Sequence, residues 1–124
     1  MNTNLSFLLH LFLVSAALLL GASAETYTVG DIDGWNSYSN YTDWAQGKTF
    51  HVGDNLVFNY DGGLHSVIQV NATAYDKCLK EPNLGESRNG NDTVALAKVG
   101  RIWFICGMAD HCEFGQKFSI EILP

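Results

Sequence analysis

Cys106, His111, Cys112 and Gln116 fall within one short stretch, "FICGMADHCEFGQ" (104–116). A thiol, an imidazole and a carboxamide are donor types that hold a transition ion, and a thiol beside an imidazole is also the pair that makes a nucleophile. The chain has three cysteines, at positions 78, 106 and 112. Three thiols cannot all pair, so one is left over whichever of the possible disulfides forms. Four residues separate Cys106 from His111, and four more separate His111 from Gln116. Gly107 and Gly115 let this segment turn between two strands. In extended backbone, neighbouring side chains point to opposite faces. That directs Cys112 away from His111 and frees it to meet the distant Cys78. Of the possible pairings Cys78–Cys112 is the one favoured, worth roughly 3–4 kcal/mol in the chain-entropy account. Cys106 then remains as the unpaired thiol near His111.

A further donor should come from another strand. Outside the N-terminal segment the candidates are His51 and His65. His65 follows the turn Asp61-Gly62-Gly63 at the start of a strand, whereas His51, in "KTFHVGD", has no ligand-like neighbour. A cysteine, two histidines and a weak fourth donor are the makings of a blue copper site. The thiolate suits Cu(I), imidazole suits both oxidation states, and a trigonal His2Cys set with a distant axial Met or Gln satisfies neither state fully, so little moves on electron transfer. Gln116 would supply the axial oxygen. Met108 is a competing soft donor, but it sits inside the turn. A hydrogen bond from the Ser66 amide to the Cys106 sulfur is expected to tune the site. Other uses of the same residues are a structural buried thiol, a zinc site and a thiol nucleophile. An amide ligand would be odd for structural zinc, and the local signatures of cysteine proteases are missing.

The compartment decides what a lone thiol means. From Leu5 to Leu20 the chain is almost wholly apolar, and Ala22-Ser23-Ala24 is a small-x-small cleavage pattern. Residues 1–24 read as a secretory signal peptide, although no Lys or Arg precedes the apolar run. That run falls short of the ~20 residues of a spanning helix. The mature chain, 25–124, reads as one domain, small enough for a disulfide to help it. No hydrophobic tail follows Pro124 to direct a lipid anchor, so a soluble, extracellular monomer is expected. The formal net charge of −6 is scattered, with no basic patch, which disfavours nucleic acid and anionic membranes as partners. Three glycosylation sequons begin at Asn40, Asn71 and Asn91, in keeping with secretion.

The elements that must position these donors are mostly strands. "KFSIEIL" (117–123) and "NLVFNY" (55–60) alternate with period two. "TYTVG" (26–30), the less regular "HSVIQV" (65–70), "DTVALAK" (92–98) and "RIWFIC" (101–106) complete the set. Turn signals separate them, at Gly53-Asp54, Asp61-Gly62-Gly63, Asn89-Gly90-Asn91 and Gly115. Many short strands with regular turns predict an antiparallel sandwich or barrel. Short helices are expected within 40–47 and 73–80. Trp35, Trp44 and Trp103 are expected to be core or semi-core residues.

Taken together, "YTVGDIDGW" (27–35), "WAQGKTFHVGDNLVFNY" (44–60), "HSV" (65–67), "FICG" (104–107) and "HCEFGQKFSI" (111–120) resemble the phytocyanins, secreted blue copper proteins of plants. The resemblance covers nearly the whole mature chain. It implies an all-β, cupredoxin-like Greek-key sandwich or barrel with one or two short helices. It implies copper ligands at His65, Cys106 and His111, an axial ligand at position 116, the disulfide Cys78–Cys112 and one type 1 copper per chain. Gln at the axial position resembles the stellacyanin branch, with its mavicyanin-like and umecyanin-like members. The implied function is a one-electron carrier, not an enzyme, working in the apoplast or cell wall between unidentified redox partners. The alternative is a binding or scaffold protein of the extracellular matrix in which copper is secondary. All four ligand positions are filled, which argues against a lost site.

Overall fold

The structure, a computed structural model, describes residues 23–124. The expected signal peptide, apart from Ser23 and Ala24, lies outside the described residues. Among the described residues, eight strands form two sheets. They are β1 (Thr26–Thr28), β2 (Phe50–His51), β3 (Asn55–Asn59), β4 (Val67–Val70), β5 (Gly85–Ser87), β6 (Asn91–Ala95), β7 (Gly100–Ile105) and β8 (Lys117–Leu123). One sheet has the order β1-β3-β6 and the other β2-β8-β7-β4-β5. Two short helices, α1 (Tyr41–Ala45) and α2 (Ala72–Lys77), join strands. Each starts at an asparagine, Asn40 or Asn71, whose side-chain oxygen accepts from the backbone N–H three residues on, which satisfies an amide the helix itself leaves open.

The expected elements all appear, with ends shifted by a few residues. Two strands, β2 and β5, were not expected: they are only two and three residues long, too short to show a period. The sheets are also not purely antiparallel. β1 lies parallel to β3, with Thr26 opposite Asn55, and β2 lies parallel to β8, with Phe50 opposite Ile122. Both are edge strands that arrive through a long connection, which permits parallel pairing.

Hydrophobic alternation sets which face each strand buries. Leu56 and Phe58 of β3, and Phe118, Ile120 and Ile122 of β8, face a core shared with Trp35, Tyr41, Trp44 and Phe50. Trp35 sits at its centre, with its ring 4.7 Å from Tyr41 and edge-on to Phe58 at 5.4 Å. β4 is different. Val67 joins this core, but Ile68 and Val70 join a second cluster on the opposite face, with Ala74, Ile105 and Cys112. A strand buried on both faces has no reason to alternate, which explains its irregular sequence. β4 and β7 are neighbours, pairing Ile68 with Ile105. The segments that end at Cys106 and begin at His65 are thereby held side by side.

Candidate metal centre

The site is built where three chain segments meet beyond the ends of β4, β7 and β8. His65 is placed by a turn at Asp61, whose carbonyl accepts from the amides of Leu64 (3.0 Å) and His65 (2.9 Å). The Asp61 carboxylate accepts from the Gly63 amide at 2.8 Å. Gly62 lies so close to the Arg88 carbonyl that an added Cβ would stand 2.4 Å from its oxygen. This close approach requires glycine there.

Cys106 directly follows β7, and its amide donates to the Gln116 carbonyl at 3.0 Å. This bond closes the mouth of the β7–β8 connection, so Cys106 and Gln116 enter the site as neighbours. Between them the chain winds through turns. The His111 amide donates to Met108, Phe114 to Asp110, Gly115 to Cys112 and Gln116 to His111. The extended backbone expected around His111 and Cys112 is therefore absent. The two side chains nonetheless part. His111 turns to the site, while Cys112 is buried in the second hydrophobic cluster. There it is bonded to Cys78, the residue that ends α2 in left-handed conformation. Cys106 is the free thiol, and it is buried.

The donor atoms of His65, Cys106 and His111 all lie within 4.8 Å of one another. His111 Nδ1 is 3.7 Å from the sulfur, and His65 Nδ1 is 3.1 Å from the Gln116 side-chain oxygen. The two imidazoles face each other with ring centroids 4.9 Å apart. Burial, and then the neighbouring His111, pull the His65 pKa below the ordinary imidazole value. That favours the neutral ring, the form that offers a lone pair to a metal. Gln116 is fully buried, and its side-chain nitrogen has no hydrogen-bond partner among the described residues. A buried amide with an idle nitrogen is costly, and here its oxygen is the end that points at the other donors. A soft thiol, two imidazoles and an amide oxygen form a set suited to a late transition ion. His51 stays outside this group, half-exposed and 3.9 Å from Asp54. Met108 packs against the main core, and Asp110 and Glu113 are exposed.

Two supporting residues have a larger part than the sequence suggested. The expected bond from the Ser66 amide to the sulfur does not occur among the described residues. Ser66 acts through its other groups: its hydroxyl accepts from the Gly107 amide at 2.8 Å, and its carbonyl accepts from the Trp35 indole at 2.8 Å. Ser66 thus ties the segment after His65 to the segment after Cys106, and Trp35 fixes both to the core. The position of Ser66, next to His65, was the available signal. For Trp35 no local signal exists, because the contact spans distant segments. Gly107 must be small for the same reason, since a Cβ there would lie 2.4 Å from Ile68 Cδ1 and 3.0 Å from the Ser66 hydroxyl.

Residues 35–116 match the family described as the plastocyanin-like domain. Blue copper protein 1b of Medicago truncatula is 44% identical over 113 residues, spanning 89% of this chain and 70% of that protein. Among solved structures, the cucumber basic protein, a blue copper protein, superposes with a TM-score of 0.73 at 35% identity, over 79% of this chain and 99% of its own. Cucumber stellacyanin, solved with Cu2+ at pH 7.0, gives a TM-score of 0.73 at 32% identity, over 82% and 96%. The chain belongs to the phytocyanins, the plastocyanin-like blue copper proteins of plants.

Proposed function

We propose that the protein binds one copper ion through His65, Cys106, His111 and Gln116 and serves as a one-electron carrier rather than an enzyme. The observation that carries this reading is the convergence of a buried free thiol with two imidazoles within 4.8 Å, closed by a buried amide. Copper held there supplies reversible exchange of a single electron between Cu(II) and Cu(I). The chain's own part is to keep the donors in place through both states. The Cys106–Gln116 backbone bond, the Ser66 clamp and the disulfide all restrain the segments that carry them. His111 is the less buried of the two imidazoles, so its edge is the exit for the electron. Leu64 and Phe114, in the loops that carry His65 and His111, are exposed apolar residues.

Secretion to the apoplast agrees with the disulfide and the three exposed sequon asparagines. At Asn40 and Asn71 the side-chain oxygen caps a helix, which leaves the nitrogen, the atom that takes a glycan, free of that bond. No helix among the described residues is long and apolar enough to cross a membrane. The redox partner is a separate molecule of unassigned identity.

Protein-film voltammetry of the copper-loaded mature chain tests the carrier role. The expected result is a reversible one-electron wave with fast exchange. An irreversible wave, or loss of copper on reduction, would contradict it.

A further inference from the structure

We infer that removal of the leader builds a salt bridge: the α-ammonium of Glu25, created by cleavage after Ala24, pairs with the buried carboxylate of Asp54 and fastens the first strand into the fold. This rests on the reading of residues 1–24 as a cleaved signal peptide.

Asp54 is only 2% exposed. Its Oδ1 accepts from the Glu25 backbone nitrogen at 2.9 Å, and its Oδ2 accepts from the His51 amide at 2.8 Å. The partners are rigidly placed. The Asn55 amide donates to the Glu25 carbonyl at 2.9 Å, and the Leu96 amide donates to the Asp54 carbonyl at 2.9 Å. A buried carboxylate held by neutral amides alone is expensive, and a cation in contact offsets that cost. The nearby cationic side chains are poorly suited. Lys48 Nζ is committed to the Trp44 carbonyl at 2.8 Å and to the Trp44 ring. The His51 ring is half-exposed, with Nδ1 3.9 Å from Oδ2. The remaining titratable groups lining this depression are the Glu25 carboxylate, which is exposed, the α-carboxylate at Pro124, also exposed, and the Tyr27 phenol, which donates to the Thr49 carbonyl.

In the precursor the Glu25 nitrogen is a neutral amide. Hydrolysis of the Ala24–Glu25 bond, with water as co-reactant and signal peptidase as catalyst, leaves a carboxylate on Ala24. The amino group on Glu25 takes up a proton. The same atom, already in contact with the Asp54 carboxylate, becomes a cation, and a hydrogen bond charged on one side becomes an ion pair charged on both. The mature chain is therefore more stable than the same fold with its N terminus extended or capped.

The experiment compares the copper-loaded chain beginning at Glu25 with a free amine, its Nα-acetylated form, and both forms carrying Asp54→Asn. Near-UV circular dichroism establishes that each is folded. Acetylation should lower Tm by roughly 4–8 °C with Asp54 present and have little effect in the Asp54→Asn background. The α-amino group should titrate above its ordinary ~7.7–8.0. Equal Tm values for free and acetylated chains, or an ordinary α-amino pKa, overturn the contact. Intact mass of the protein secreted from the full chain should show an N terminus at Glu25. A different N terminus overturns the proposal through its premise instead.

Discussion

In the proposed copper set, Gln116 is the side chain on which the reduction potential turns. It is fully buried, its oxygen faces the donors and its nitrogen has no partner among the described residues. An amide oxygen is a harder donor than a thioether and favours Cu(II), so as the proposed axial ligand it would lower the reduction potential. Each ~1.4 kcal/mol of differential stabilisation moves a one-electron couple by about 59 mV. Gln116→Met is expected to raise the potential measured by redox titration. An unchanged or lower value would remove Gln116 from the ligand set. Cys106 was legible because of arithmetic: three thiols, an expected oxidising compartment and a histidine nearby. His65 was legible by its place after a turn. The role of Ser66 was misread, since its hydroxyl rather than its amide does the bridging. Which polar atom of a small residue finds a partner depends on a distant segment, and local spacing carries no information about that.

At the scale of elements, the site depends on two segments being held together more than on either alone. The Ser66 hydroxyl accepts from Gly107 in the buried interior. Ser66→Ala leaves that amide without its partner, which costs about 1–3 kcal/mol. Urea denaturation should show the loss as a lower midpoint with an unchanged slope, and an unaltered midpoint would deny the clamp its importance. The disulfide acts on the same loop from the other side, joining α2 to the turn that carries His111 across a sequence separation of 34. Its pairing was foreseen, but the reason was not the one that operates. A chain of turns, not strand alternation, separates Cys112 from His111. β8 was readable to its ends because one of its faces is buried and the other is largely open. β4 was harder because both faces are covered, and the short β2 and β5 carried no period at all.

For the molecule as a whole, burial of aromatic side chains links stability to pH. Tyr41 is 1% exposed, and its phenol is pushed up to about 12, chiefly by burial. The Tyr60 phenol, which is less buried and donates to Asp92, also rises to about 12, again with burial as the leading cause. An unfolded tyrosine titrates near ~10. The fold therefore binds these protons more tightly than the unfolded chain does. Their contribution is complete below pH ~10 and is lost as pH rises through the folded values. Stability measured against pH should fall across that alkaline window, with phenolate absorbance appearing together with unfolding. Ionisation of both phenols near pH 10 in a fully folded protein would contradict this. The two sheets, the aromatic core and the disulfide together hold a free sulfur open beside two imidazoles. The absorption spectrum of the Cu(II)-loaded protein beside that of Cys106→Ser tests this most directly. An intense blue sulfur-to-copper charge-transfer band is expected in the natural chain and should vanish in the variant. A natural chain without the band, or a variant that keeps it, would contradict copper ligation by Cys106.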